Sequence, residues 1–155
     1  MTNIKEIDGD LITLAQQGKF DVIAHGCNCF CKMGSGIAPQ IKAAFPEAWE
    51  ADQKTSTGDI GKLGTYTFGY HTLENNYVLT IVNAYTQYFY DARTKPLDYE
   101  ALTLCMRKIN HEFARLSIGL PKIGAGLAGG DWNRIKKIIE TELYTMLVTI
   151  IHYKK

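Results

Sequence analysis

The chain has 155 residues, 46% of them hydrophobic, which suits one ordinary domain with a sizeable core. Its 17 basic and 16 acidic residues leave a net charge of +1, and this excludes the electrostatic footprint of a protein that wraps nucleic acid. No apolar run approaches the roughly 18 residues of a membrane-spanning helix, and the opening MTNIKEIDGD lacks an apolar signal core, so a cytoplasmic protein is expected.

In chain order, Ile4–Ile7 predicts a short strand, and Gly9-Asp10 turns into a helix from Leu11 to Ala15. Val22-Ile23-Ala24 is a continuous apolar run, the pattern of a strand buried on both faces. A glycine-rich turn follows, then helical spacing from Ile37 to Phe45. Pro46 restarts a helix, in keeping with the preference of proline for a first turn. Gly58 to Gly64 reads as a loop and Thr65–Tyr70 as an alternating strand. Glu74-Asn75-Asn76 makes a turn before a second buried strand, Tyr77–Ala84. Thr86–Pro96 is aromatic and irregular, and Asp98 can cap a long helix from Tyr99 to near Leu116. Ile118–Pro121 is a brief strand before a second glycine-rich turn, Asp131–Glu142 a helix, and Leu147–Tyr153 a final strand.

Strands alternating with helices predict an α/β fold, a single domain over 1–155 with a mixed, mostly parallel central sheet covered on both faces. Ligands of such sheets lie beyond the carboxyl ends of the strands, where the strand order switches. Both glycine turns, Met33-Gly34-Ser35-Gly36-Ile37-Ala38 and Gly124-Ala125-Gly126-Leu127-Ala128-Gly129-Gly130, follow strand ends and precede helices. Such turns present backbone N–H groups to anions, so the pair predicts a cradle for a molecule with two phosphates.

Three of the four cysteines fall in His25-Gly26-Cys27-Asn28-Cys29-Phe30-Cys31. Structural zinc sites use two closely spaced ligand pairs, and no second pair exists here, so no metal is expected. In a strand, Cys27, Cys29 and Cys31 would share one buried face.

Taken in order, Gly9-Asp10-Leu11, His25-Gly26-Cys27-Asn28, Gly34-Ser35-Gly36-Ile37-Ala38, Val82-Asn83-Ala84 and Gly124-Ala125-Gly126-Leu127 resemble the macrodomains, which bind ADP-ribose. The resemblance covers nearly the whole chain. It looks closest to the branch holding the yeast ADP-ribose 1″-phosphate phosphatase and the hydrolase that frees ADP-ribose from glutamate. It implies a three-layer α/β/α fold and an ADP-ribose site in which Asp10 accepts from the adenine amino group with the Leu11 N–H nearby. Gly34, Ser35, Gly36, Ile37 and Ala38 would form one phosphate loop, and Gly124, Ala125, Gly126, Leu127 and Ala128 the other. Asn83 would belong to the binding segment, and Tyr153 or His152 would stack on adenine. Asn28 would face the distal ribose, with His25 near it as general acid or base, and Asp131 would orient or deprotonate water.

Each role has a plain competitor. Asp10 and Asp131 can be helix N-caps, Asn28 a turn residue, His25 a satisfied interior side chain, Tyr153 a surface residue at a chain end, and Trp132 core packing. The glutamate-specific enzyme uses a lysine in the segment matching Val82–Tyr85 and an aspartate after its second glycine turn. This chain has no such lysine and carries Ala128 at the other place, so the resemblance implies direct attack by water and no cofactor. The expected reaction is hydrolysis of ADP-ribose 1″-phosphate. De-ADP-ribosylation of proteins, hydrolysis of O-acyl-ADP-ribose, or non-catalytic ADP-ribose reading remain alternatives. Single-strand stacking on Tyr85, Tyr88, Phe89 and Tyr90 is a fourth, against which the near-neutral charge speaks.

Overall fold

The structure, a computed structural model, describes residues 4–153. Its strands are β1 (Ile4–Gly9), β2 (Val22–Cys27), β3 (Tyr66–Thr72), β4 (Val78–Tyr85), β5 (Ser117–Leu120) and β6 (Leu147–Tyr153). Its helices are α1 (Leu11–Gln16), α2 (Ala38–Ala44), α3 (Pro46–Gln53), α4 (Tyr99–Glu112) and α5 (Trp132–Glu142). The strands form one sheet in the order β1-β6-β5-β2-β4-β3. Every pairing is parallel except β3 with β4, which is the hairpin predicted around Glu74–Asn76.

Alternation along the buried strands divides the core in two. Val22 and Ala24 of β2, Val82 and Ala84 of β4, Ile118 and Leu120 of β5, and Val148 and Ile150 of β6 face α4 and α5. Ile23, Leu79, Ile81 and Ile151 face the other way, against α1, α2 and α3. Each fully buried aliphatic side chain of this set contributes about 1.5–3 kcal/mol relative to an exposed one, so the two layers of helices are held by the sheet rather than by their own propensity. The six-residue α1 shows this most plainly, being too short to persist alone.

The helices start where the sequence predicts. Asp10 accepts from the N–H groups of Ile12 and Thr13, Asp98 from Ala101, and Asp131 from Asn133, while Pro46 opens α3. Two expectations need correction. The long helix ends at Glu112, short of Leu116, because Phe113 leaves helical geometry and Arg115 takes a left-handed conformation (φ 71°) that turns the chain back into β5. The cysteines do not share a strand face, because β2 stops at Cys27. Cys29 lies in the following turn with its Sγ 3.6 Å from the Gln87 carbonyl oxygen, and Cys31 (φ 57°) turns its Sγ to the Asp52 carbonyl oxygen at 3.4 Å.

The edge strand β3 runs hard against the start of α3. A Cβ on Gly69 would lie 2.7 Å from the backbone carbonyl of Glu47, where no flexible side chain can give way. Gly69→Ala is therefore expected to cost about 1–3 kcal/mol through overpacking and to lower the melting temperature by several degrees. A thermal unfolding midpoint equal to that of the parent chain would contradict this packing.

Candidate functional site

Because β2 sits between β5 and β4, the turns leaving the carboxyl ends of β2 and β5 lie side by side. The strand order switches here, and a cleft opens between the turns in two connected compartments of about 210 and 430 Å³. Gly36, Ile37, Pro121 and Lys122 line both. The larger compartment lies toward β1 and β6 and takes in Asp10, Leu11, Ile12, Gln40, Ile151 and Tyr153. The smaller lies toward β2 and β4, with Cys27, Asn28, Lys32, Gln87 and Tyr90 on its wall beside the second glycine turn. The cleft thus follows the sheet, each parallel strand contributing residues at or just past its carboxyl end.

The two turns make the middle of the cleft an anion cradle. Gly36 (φ 64°) and Gly124 (φ 77°) hold left-handed conformations that an L side chain rarely adopts, which lets the backbone itself line the space. Among the described residues, the N–H groups of Gly36, Ile37, Gly126 and Leu127 donate to no backbone acceptor. Gly36, Gly126 and Leu127 are exposed, so water serves these N–H groups in the free protein, and a diphosphate laid across the turns would take its place as acceptor. Lys122 adds a cation at the junction of the compartments, its Nζ 5.4 Å from the centre of the Trp132 ring.

Most of the residues singled out by sequence converge here. Asp10, Leu11 and Tyr153 meet at one end, Asn28 stands at the other, and Ser35, Gly36, Ile37, Ala38, Gly124, Gly126, Leu127 and Ala128 lie between or beside them. Gly34 and Ala125 belong to the turns but do not line the cleft; Ala125 packs toward the α4–α5 core. Both hydrogen bonds that Asp10 accepts as a cap fall on Oδ1, so its second oxygen stays available to the compartment it lines. Capping and ligand recognition are compatible in this residue.

Asn28 is largely committed to its own turn. Its Oδ1 accepts from the N–H of Phe30 at 2.9 Å, and its Nδ2 donates to the Lys32 carbonyl oxygen at 2.8 Å. One amide hydrogen remains, so Asn28 can donate to a ribose hydroxyl or a water but cannot act as a base.

Four expectations are corrected. His25 is fully buried and does not line the cleft. Its Nε2–H donates to Asn83 Oδ1 at 2.8 Å, because Asn83 spends its Nδ2 on the Ala48 carbonyl oxygen and Thr67 Oγ1. Burial holds the His25 pKa down to about 4, against the smaller opposing effect of the Asn83 hydrogen bond, so the ring is neutral at pH 7. Asn83 is equally buried and serves this interior network, tying β4 to α3, rather than touching a ligand. Asp131 caps α5, while its own N–H donates to Tyr99 Oη at 2.8 Å, and it stands outside the lining of the cleft. Tyr85, read as a stacking residue, is fully buried, with its hydroxyl donating to Asp52 Oδ1 at 2.8 Å.

Lys32, Gln40, Gln87 and Lys122 line the cleft without having been singled out for the site by sequence, while Tyr90, named there among the stacking aromatics, lines the distal compartment. Lysines and glutamines in polar loops carry no pattern of their own; only the position of Lys122 directly before the second glycine turn hinted at a role.

The buried imidazole makes folding sensitive to acid. The unfolded chain takes up a proton at His25 near pH 6.5, whereas the folded chain resists it until about pH 4, so stability falls as pH drops through that window. The fall expected from this residue between pH 7 and 4.5 is about 2–3 kcal/mol. Urea unfolding at both pH values should show His25→Gln, which keeps a neutral donor for Asn83, with a correspondingly flatter dependence. Equal pH dependence in the two proteins would rule out the assignment.

Comparison with known proteins agrees with the geometry. The Macro domain family model matches residues 24–139. The chain is 37% identical over 157 residues to a 17.5 kDa protein from the tk-vs intergenic region of Enterobacteria phage T4, covering 97% of both chains. It is 27% identical over 151 residues to the ADP-ribose 1″-phosphate phosphatase of Candida albicans, covering 88% of this chain and 92% of that one. The solved macrodomain of Thermus aquaticus DarG superposes with a TM-score of 0.70 at 22% identity, covering 98% of each chain, a likeness of fold. With its sheet order, its paired glycine turns and these matches, the chain belongs to the macrodomain family.

Proposed function

We propose that the cleft binds ADP-ribose, with adenine between Asp10 and Tyr153, the diphosphate across the two glycine turns and the distal ribose beside Asn28. We further propose that the protein hydrolyses ADP-ribose 1″-phosphate to ADP-ribose and phosphate. The observation that carries this reading is the charge of the distal compartment. Lys32 and Lys122 line it, and no carboxylate among the described residues does. A phosphate monoester brings up to two negative charges into this space, where a cation on a partly enclosed wall is worth more than in open water. The similarity to the Candida albicans phosphatase supports the same substrate.

With His25 and Asp131 off the cleft wall, the chemistry rests on positioning and charge. The backbone N–H groups of the turns fix the diphosphate, the free amide hydrogen of Asn28 orients a water or hydroxyl, and the Lys32 ammonium offsets charge gathering on the phosphoryl oxygens. Water adds to phosphorus, and the ribose 1″ oxygen leaves and takes a proton. Among the described residues no imidazole or carboxylate lines the distal wall, which also favours a second reading, in which the protein binds ADP-ribose without turnover.

Calorimetry with ADP-ribose and phosphate release from ADP-ribose 1″-phosphate separate the two. Binding with phosphate release is expected. Lys32→Ala should lower kcat/KM by about 10- to 100-fold, the worth of one charged hydrogen bond. Asp131→Ala should lose about 1 kcal/mol of stability as a lost cap while turnover stays near that of the parent. Binding without phosphate release would establish the reader instead, and absence of ADP-ribose binding would refute both.

A further inference from the structure

Behind the distal wall, the turn after β2 holds a pair of nucleophilic side chains that the cleft does not use. Cys31 is half-buried, whereas Cys27, Cys29 and Cys105 are buried. Burial pushes the thiols of those three up, that of Cys105 to about 12, and thiols of this kind are inert. The Cys31 Sγ sits instead among polar partners. Thr57 Oγ1 donates to it at 3.6 Å and Lys62 Nζ at 3.7 Å, and Thr55 Oγ1 lies 3.3 Å away.

Lys62 is the unexpected member of the group. It is 7% exposed, yet among the described residues no carboxylate stands within ion-pair distance of its Nζ. Lysine is almost never so buried without being paired. The Asp52 carboxyl accepts from the Tyr85 hydroxyl, and the Tyr85 ring covers Lys62 at 5.3 Å. Thr55 Oγ1 accepts from Lys62 at 2.8 Å and donates its own hydrogen to the Asp52 carbonyl oxygen at 2.7 Å. The remaining partner is the Cys31 sulfur, so a nitrogen and a sulfur far apart in the chain face each other with the sulfur open to small solutes.

We propose that Cys31 and Lys62 are the two halves of an oxidative cross-link, an S–N bond formed when hydrogen peroxide reaches the turn. The sulfur attacks peroxide, the O–O bond breaks, and Cys31 becomes a sulfenic acid as one water is released. Lys62, having given a proton to solvent, attacks that sulfur through its amine. The S–O bond breaks, and the departing hydroxide takes the second proton from nitrogen and leaves as water. Sulfur is oxidised, peroxide is reduced, and the joined side chains have lost two hydrogens. Two thiols reverse the step, becoming a disulfide as they restore the cysteine and the amine. Cys31 directly precedes Lys32, which lines the distal compartment, so the bond ties that wall to the 3₁₀ turn Ile60–Lys62. The cross-link does not depend on what the cleft binds.

The test treats the full chain with hydrogen peroxide, digests it with trypsin without reductant and maps the peptides by mass spectrometry. A Cys31 peptide joined to a Lys62 peptide is expected, two hydrogens lighter than their sum and separated by dithiothreitol. Cys27, Cys29 and Cys105 should stay open to alkylation once the chain is unfolded. Closing the loop between Cys31 and Lys62 should raise the melting temperature of the oxidised protein by several degrees. Lys62→Met should form no cross-link and leave a Cys31 sulfenic acid that dimedone traps. Cys29→Ser should still form it, a result that does not require the Lys62 variant to fold. A disulfide between Cys29 and Cys31, a Cys31 sulfinic acid with no S–N bond, or a Cys31 thiol that survives peroxide would each overturn the proposal.

Discussion

Val22 pairs with Ile118 and Ile23 with Gly119, and on this short parallel ladder between β2 and β5 the whole site depends. It sets the ends of two strands distant in sequence next to each other, so that two glycine turns open onto one cleft. Neither turn alone has a partner for a diphosphate. Side by side, they offer unpaired N–H groups from both walls, with Lys122 between the compartments. The same alignment gives the cleft its direction, because β1 and β6 bring Asp10 and Tyr153 to one end while β2 and β4 bring Asn28, Gln87 and Tyr90 to the other.

Beneath the distal end lies a polar interior organised by the pairing of β2 with β4, which sets His25 opposite Asn83. His25 donates to Asn83, Asn83 donates to Ala48 and Thr67, and Tyr85 donates to Asp52. Burial raises the pKa of the Asp52 carboxyl, with the Tyr85 hydrogen bond and the nearby Lys62 ammonium opposing it. Lys62 is itself buried, with its Nζ donating to Thr55 Oγ1 at 2.8 Å. Such a network is costly unless its members find partners. Its reward is position: it locks α3 to β3 and β4 and so fixes the floor on which the Asn28–Lys32 turn rests.

This arrangement changes how the distal chemistry is understood. A histidine and an aspartate close in sequence to the site are the natural choices for proton transfer, yet both are consumed by structure, one in the interior and one at a helix cap. What lines the distal compartment is amide and ammonium together with the Ser35 and Tyr90 hydroxyls, groups that bind, orient and neutralise charge.

Strand and helix order, the caps Asp10, Asp98 and Asp131, the hairpin and the two glycine turns were all legible from the sequence, because each depends on local preference: apolar periodicity, capping oxygens, proline at a first turn and glycine where φ is positive. The motifs also carried the resemblance that pointed to the fold. The facing of a polar side chain was not legible. His25 shares a strand face with Cys27, its Nε2 3.4 Å from the Cys27 Sγ, but it lies two residues further from the carboxyl end where the cleft opens, and there Asn83 arrives from a strand 58 positions away. Lys32, Gln87 and Tyr90 likewise join one wall only because β2 and β4 are neighbours in the sheet. Sequence by itself determined the elements and the anion-binding turns, since those are set by short-range sterics and hydrogen bonding. Tertiary structure alone decided which charges and rings meet, since that depends on strand order and pleat, which bring together residues far apart in the chain.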